Sequence, residues 1–482
     1  MISRKNDVII IGSGVGGLVC ANYLAATGLK VLVIEKNREA GGYCTSFTKN
    51  NLRIDTTIHA IQDCSPGNVL YKIFSDLQIL HDLNLFRRDP TDTIIIKGLG
   101  VIHIYNDYNE SLRQFIKLFP KEKEGLRKFF NFIYNLKFIE FYYHNKAKTF
   151  KELMNEFFKS EHIKAVFEIF LGNIGSFAKE TSAITAVSLL RQFIFSGGYY
   201  PLGGIQKIPD LLVKRLLENN GEILLKNEVV RIEVNRRKVK GVELKNGDFI
   251  PADLIVSNSD FMHTFTKLIN LKNFHNFYQK IMNMSPAYSI YIVYLILNTS
   301  LKNKINSGPG VWFVPNAKCI NYERGNELQI KKRGFFMSIT SKLDQDIHKK
   351  DQDIVRIMTT SKFHDSSFWR KYSMHFSEEL INGASSIFPD FRKYIICEGR
   401  ATSLTMQKYT FNYNGSVSGW KNTIANISDP INTYFPNIEG LYLTGHWDTQ
   451  KYGNGGVAMA AYSGQKIAKK ILKEKFKPNF SK

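Results

Sequence analysis

The sequence predicts an α/β fold: a parallel sheet covered by helices and interrupted by an inserted mixed α+β domain. Three observations predict it. The chain begins with a strand–turn–helix–strand unit, helix and strand alternate again over residues 205–256, and a strand, a glycine loop and a helix close it at 441–472. With 482 residues the chain is too long for one ordinary core, so two or three domains are expected.

Residues 7–11 (DVIII) form a run of β-branched residues that suits a strand buried on both faces. Gly12 to Gly17 read as a turn, 18–27 as a helix stopped by Gly28, and 30–34 (KVLVI) as a second strand ending on Glu35. From about 107 to 200 the period is helical, with Leu126, Phe129, Phe130, Ile133 and Leu136 on one face. Lysines and aromatics mix over 121–164. That mixture reads either as an amphipathic helix over a core or as a membrane-facing or tunnel-lining patch. After Tyr200-Pro201-Leu202-Gly203-Gly204, residues 205–219 read as a helix, and 222–225, 229–234 and 238–244 as short strands. Asn246-Gly247 reads as a hairpin turn and 254–256 as a buried strand. Residues 261–434 are mixed, with strand-like runs at 288–297 and 308–314. These changes assign 1–85, 200–260 and 435–482 to a discontinuous cofactor domain. Segments 86–199 and 261–434 form a substrate- or membrane-facing domain.

Composition narrows the class. Hydrophobic residues are 44% and charged residues 22%, as in folded rather than disordered chains. The 35 Phe and 23 Tyr supply material for a core and an apolar cavity. A net charge of +22 either draws anions such as lipid headgroups or reflects a general bias toward Lys, Asn and Ile. No nucleic-acid motif accompanies the charge, so no nucleic acid is expected. Cys20, Cys44, Cys64, Cys319 and Cys397 are scattered, which fits neither a disulfide framework nor a zinc site. A reducing, cytoplasmic setting and no metal are expected. The first apolar run is too short for a signal peptide, and the longest, 288–297, is too short to span a bilayer. Any membrane contact is therefore expected to be peripheral. Oligomeric state is not readable.

The strongest motif is Gly12-Ser13-Gly14-Val15-Gly16-Gly17 between strand and helix. Glycines let the turn be tight, let backbone approach a pyrophosphate and let helix pack on strand. The helix N-terminus offers free N–H groups and a positive dipole end to phosphate. Glu35 then stands where an acid accepts hydrogen bonds from an adenosine ribose, and it would repel a 2′-phosphate. This is a Rossmann-like site for FAD or NAD. Gly41-Gly42, with hydroxyls just beyond at Thr45 and Ser46, extends the fingerprint and favours FAD. The closing motif also makes sense alone: a strand delivers Gly445, and Gly455-Gly456 start a helix whose N–H groups can face the flavin.

The run IIIGSGVGGLVCANYLAATGLKVLVIEKNREAGGYCTS resembles the N-terminus of the phytoene desaturase, carotenoid cis–trans isomerase and retinol saturase family, a branch of the FAD-binding amine oxidoreductases. Further blocks are similar: Asp55-Thr56-Thr57-Ile58-His59, with Thr57 for a glycine; the Tyr200–Gly204 segment; and 440–445 with 455–457. The segment Thr402-Ser403-Leu404-Thr405 resembles a substrate-side motif, with Ser403 for a proline. The resemblance implies FAD held by Gly12, Ser13, Gly14, Gly16, Gly17, Glu35, Lys36, Gly41, Gly42, Thr45, His59, Val229, Gly445, His446, Gly456 and Val457. His59 reads either as a residue beside the flavin or as a satisfied core histidine. His446, where many relatives carry Gly-Asp, reads either as a ribityl contact in place of an acidic one or as a packing histidine. These two are the only candidates for catalysis, because the flavin carries most of the chemistry.

The implied function is FAD-dependent oxidoreduction at carbon–carbon bonds of a lipophilic, carotenoid-, isoprenoid- or retinoid-like substrate. Desaturation comes first, because oxidation needs only an acceptor. The alternatives are redox-neutral cis–trans isomerisation, saturation, or an amine oxidase. A non-enzyme alternative is a prenyl- or lipid-binding chaperone on the same fold, which would predict a degraded fingerprint.

Overall fold

A computed structural model describes residues 5–269, 275–315, 327–329, 334–344, 351–430, 438–448 and 456–476. Gly455, Cys319 and the expected domain boundary at 435 lie outside the described residues.

Apolar runs from the first, middle and last parts of the chain collect into one seven-stranded sheet. Asn6–Ile11 lies at its centre, parallel to Val31–Ile34 on one side and to Phe249–Ser257 on the other. Val8, Ile9 and Ile10 are fully buried, as strands covered on both faces require. Glu222–Leu224 extends the sheet beyond Val31–Ile34. On the other side Lys238–Leu244 and Val229–Asn235 follow, and Leu441–Leu443 pairs parallel with Phe249–Ser257. That last strand is longer than the 254–256 stretch expected from sequence. Its start pairs antiparallel with Lys238–Leu244 and its end parallel with Asn6–Ile11. Pro251, which has no N–H to give, sits just before the change of partner.

The first helix runs Val15–Ala25 rather than 18–27. Gly16 and Gly17 are its first turn, not part of the loop, because the helix must touch the loop behind it. A Cβ on Gly17 would stand 2.4 Å from the Gly12 carbonyl oxygen. The helix Gly456–Lys475 packs beside it, with Gly464 against the Gly16 carbonyl.

A second seven-stranded sheet is built from Asp92–Ile96, Gly100–Ile104, Ser289–Leu297, Gly310–Val314, Phe335–Ile339, Asp353–Ser361 and Ile395–Ala401. The strand Ser289–Leu297, next to the edge strand Ile395–Ala401, shows the period of two that separates its faces. Tyr291, Val293, Leu295 and Leu297 pack with Trp369, Phe376 and Leu380 of the helix Ser366–Ile387. Ile292, Tyr294 and Ile296 face the helical segment 108–196, among Phe115, Phe129, Phe130 and Phe167. Leu126, Phe129, Phe130 and Ile133 form one buried stripe of Lys123–Tyr134, as their spacing predicts.

Candidate functional site: a dinucleotide cleft against an apolar cavity

The C-terminal ends of the parallel strands open on a cleft of about 1070 Å³, the place where open α/β sheets bind ligands. Gly12 turns there at φ +88°. Gly41 N–H donates to the Ser13 carbonyl at 3.0 Å, and Gly41 bridges Gly14, so the second glycine pair lies against the first loop. A Cβ on Gly16 would meet the Ala460 carbonyl at 2.8 Å and Gly445 Cα at 2.9 Å, and one on Gly445 would meet Asn258 Oδ1 at 2.5 Å. The result is a cradle of bare backbone that side chains would fill. No acidic side chain stands in the first turn of Val15–Ala25 to compete for its N–H groups. A dinucleotide pyrophosphate fits this donor set.

Of the residues named from sequence, Gly12, Gly14, Gly16, Glu35, Lys36, Gly41, Gly42, Val229, Gly445, His446, Gly456 and Val457 line the cleft. Four do not. Ser13 faces inward, donating its N–H and hydroxyl to Glu35 Oε2 at 2.9 and 2.8 Å. Gly17 serves helix packing. The Thr45 hydroxyl donates to the Gly42 carbonyl at 2.9 Å and shapes that loop. His59 lies on the neighbouring cavity.

The structure adds residues that the motifs do not reveal. Asn258 follows the strand Phe249–Ser257 and lies close to Gly12, Gly14, Gly16, Gly17 and Gly445. A polar residue after a buried parallel strand is the signal that could have found it. His263 stacks on Phe411 at 4.5 Å, and Lys36 Nζ lies 4.0 Å from the same ring. Burial holds the His263 imidazole down to about 4, so it is neutral here. Asn412 joins the two chain ends. Its side chain donates to Tyr43 Oη at 3.0 Å, lies 3.2 Å from His446 Nε2, and accepts from Trp447 Nε1 at 3.0 Å. Burial lowers His446 to about 4, so it meets the cleft as a neutral ring. The nearby carboxylate, Asp448, is turned away and accepts from the Ser463 hydroxyl at 2.7 Å.

A second cavity, of about 950 Å³, lies against the first; Tyr43, Ile58 and Val417 line both. Its walls are Ile169, Phe177, Ile290, Trp312, Phe336 and Met358, and among the described residues no lysine or arginine lines it. Thr57 replaces a glycine at its edge, and its hydroxyl donates to the Tyr43 carbonyl at 2.9 Å. His59 packs 4.0 Å from the Phe336 ring, and its Nε2 has no hydrogen-bond partner among the described residues. Burial, then the charges of Arg88 and Arg356, hold this imidazole well below its ordinary range. Arg356, itself buried, donates to the carbonyls of Asp55 and Ile58 at 3.3 and 3.0 Å and so fixes the segment that carries His59. Asp55 orients rather than reacts: it accepts from Tyr200 Oη at 2.6 Å and from Ile205 N–H at 3.2 Å. Glu168 is the one carboxyl on this cavity among the described residues, and burial pushes it up to about 7. No group of three or more His, Cys, Asp or Glu among the described residues could hold a metal ion.

The family model described as "Flavin containing amine oxidoreductase" matches residues 15–304. Prolycopene isomerase of Daucus carota is 26% identical over 97% of this chain and 80% of its own length. The neurosporene-forming phytoene desaturase of Rhodobacter capsulatus is 29% identical over 54% of this chain and 54% of its own. The crystal structure of an oxidoreductase from Methanosarcina mazei superposes with a TM-score of 0.72 at 16% identity, covering 96% of this chain and 100% of that one. That likeness carries the fold.

Proposed function

The chain belongs to the flavin-containing amine oxidoreductase family, and from that premise we propose that it acts on carbon–carbon bonds of a long, apolar, conjugated substrate, with desaturation as the first reading. Its cofactor is FAD. Bound in the cleft, FAD supplies two-electron exchange with the substrate. The observation that carries the reading is the apolar cavity pressed against the cofactor cleft, with three residues common to both.

The protein's part is position and dryness. Backbone at Gly12, Gly14 and Gly16 and the N-terminus of Val15–Ala25 hold the pyrophosphate. Glu35, already held by Ser13 and Asn37, faces the ribose side. Tyr43 separates cleft from cavity, its hydroxyl tied to the Ser416 carbonyl at 2.8 Å. Trp312, Phe336 and Met358 exclude water from the reacting carbons. His59, held neutral, adds no charge where a hydrocarbon must lie.

A second reading, isomerisation without net oxidation, is favoured by one observation. The prolycopene isomerase match runs through 97% of the chain, including the half that builds the cavity, whereas the desaturase match covers 54%. The intact Gly12, Gly14, Gly17 and Glu35 weigh against a flavin-free lipid-binding chaperone.

Incubating FAD-loaded protein with poly-cis and partly saturated polyenes, in air and anaerobically with reduced flavin, tests both. A product lighter by two hydrogens supports desaturation. A shifted spectrum at unchanged mass supports isomerisation, and a heavier product supports saturation. Turnover of amines with every polyene untouched overturns the proposal.

A further inference from the structure

Helices at a protein surface normally turn apolar residues inward. One short helix of this protein does the reverse. Phe138–Asn145 buries Phe141 and Asn145 and turns Phe138, Ile139 and Tyr143 outward, exposed by 51%, 72% and 68%. Tyr134, at the end of the preceding helix and 55% exposed, joins them. Four large apolar or aromatic side chains thus face solvent within ten residues, more than scattered surface residues explain. The platform beneath is firm: Phe141 packs on Phe132 at 5.5 Å, and the Asn145 amide donates to the Phe141 carbonyl at 3.0 Å.

What surrounds the patch decides the partner. Ile139, Tyr143 and Lys146 follow one stripe of the helix, at i, i+4 and i+7. Lys146 Nζ lies 5.7 Å from the Tyr143 ring. The outward face of Lys123–Tyr134 carries Lys123, Arg127 and Lys128 before it ends in Tyr134. Glu124 and Glu140 pair with Arg127 and Lys137 and offset part of this charge. Aromatics at the headgroup level with lysines reaching to phosphate are the chemistry of an anionic bilayer surface. No described helix is long and apolar enough to cross a membrane, so the contact lies on the surface.

We propose that Tyr134, Phe138, Ile139 and Tyr143 insert into the interface of an anionic lipid bilayer, with Lys128 and Lys146 on its headgroups. Lipid binding is measured without substrate, so it stands apart from the reaction proposed above. Full-length FAD-loaded protein is sedimented with phosphatidylcholine vesicles, with and without phosphatidylserine. Wild type is expected to bind the anionic vesicles, and salt weakens it. The pair Ile139→Ser and Tyr143→Ser lowers binding at least tenfold at unchanged flavin content. Lys128→Glu with Lys146→Glu lowers it on anionic vesicles only. Ile139→Trp gains fluorescence that brominated lipid quenches, a readout independent of the first variants' folding. The proposal is overturned if wild type ignores both vesicles, if the serine variant binds like wild type, or if brominated lipid leaves the new tryptophan unquenched. It is equally overturned if the serine variant dissolves a dimer instead, which assigns the face to a second copy.

Discussion

The Ser13 hydroxyl and backbone N–H both donate to one oxygen of Glu35, and Asn37 N–H donates to the other at 2.8 Å. The acid proposed for the ribose side therefore also clamps the loop proposed to hold the pyrophosphate. A hydrogen bond to a charged group contributes about 1.5–3 kcal/mol. Glu35→Gln puts an amide NH₂ against one of these donors. It is expected to cost about 2–3 kcal/mol of apoprotein stability and at least tenfold in FAD affinity. Ser13→Ala removes one bond from a residue that does not line the cleft. It should cost about 1.5 kcal/mol and leave FAD affinity within a few-fold of wild type. Urea midpoints and flavin-fluorescence titrations check both; equal FAD losses in the two variants would refute the division of roles.

The last helix reaches the cofactor through a residue outside the cleft. A Cβ on Gly464 would lie 2.1 Å from the Gly16 carbonyl oxygen and 3.1 Å from Cys20 N. Neither atom can yield, because both are backbone of Val15–Ala25. Gly464→Ala should force the two helices apart, costing about 1–3 kcal/mol, and should strip FAD during purification. Gly28→Ala is the contrast. Nothing lies within 4 Å of its Cβ, so only the left-handed φ of +82° resists. That variant should lose about 1–2 kcal/mol and keep its flavin. Flavin-to-protein absorbance ratios decide.

Two buried groups give opposite pH slopes. His446 falls from 6.5 to about 4 on folding, so between those values the unfolded chain binds a proton that the folded one refuses. Its contribution is present above pH 6.5 and lost as pH falls toward 4. Glu168 rises from 4.5 to about 7, so the folded chain holds a proton that the unfolded one releases. Its contribution is lost as pH rises from 4.5 to 7. Each slope is at most one proton, about 1.4 kcal/mol per pH unit. In apoprotein melts, His446→Gln should gain on wild type as pH drops below 6.5, and Glu168→Gln should gain as pH rises above 4.5. Parallel melting curves would remove both assignments.

The cofactor half is legible in sequence because its constraints are local. The buried run 7–11, the turn at Gly12 and Glu35 all fall within the first thirty-five residues, and their spacing exposes them. Phe411 and Asn412 leave no such trace. They reach the cleft across hundreds of residues, through a left-handed Phe411 at φ +59° that no motif announces. His59 is left open by spacing alone, between a flavin neighbour and a core histidine. Its segment is held by Arg356, a guanidinium from another sheet, and the ring lines the apolar cavity beside the cleft. The hairpin Asp92–Ile96 and Gly100–Ile104 has a local signal, two short β-branched runs on either side of Gly98 and Gly100. Its partner strand Gly310–Val314 lies far along the chain, and that pairing is what sequence could not supply.

The cavity proposed for the substrate can be closed without touching the cofactor cleft. Gly172 lies in the 3-10 turn Ile169–Ile174 on the cavity wall, and a Cβ there meets only Trp312 Cζ3, at 3.9 Å. A larger side chain therefore has one free direction, into the space assigned to substrate. Gly172→Leu should bind FAD normally. It should be as stable as wild type or gain about 0.5–2 kcal/mol from the filled cavity, while polyene binding falls more than tenfold. Gly334, on the same wall, has no such freedom, because its Cβ would stand 2.8 Å from the Phe313 carbonyl oxygen. Gly334→Leu should instead destabilise the sheet and lower soluble yield. Titrating a polyene into each FAD-loaded variant and following the visible flavin spectrum separates the cases. Undiminished polyene affinity in Gly172→Leu would place the substrate somewhere other than between Trp312 and the turn that carries Gly172.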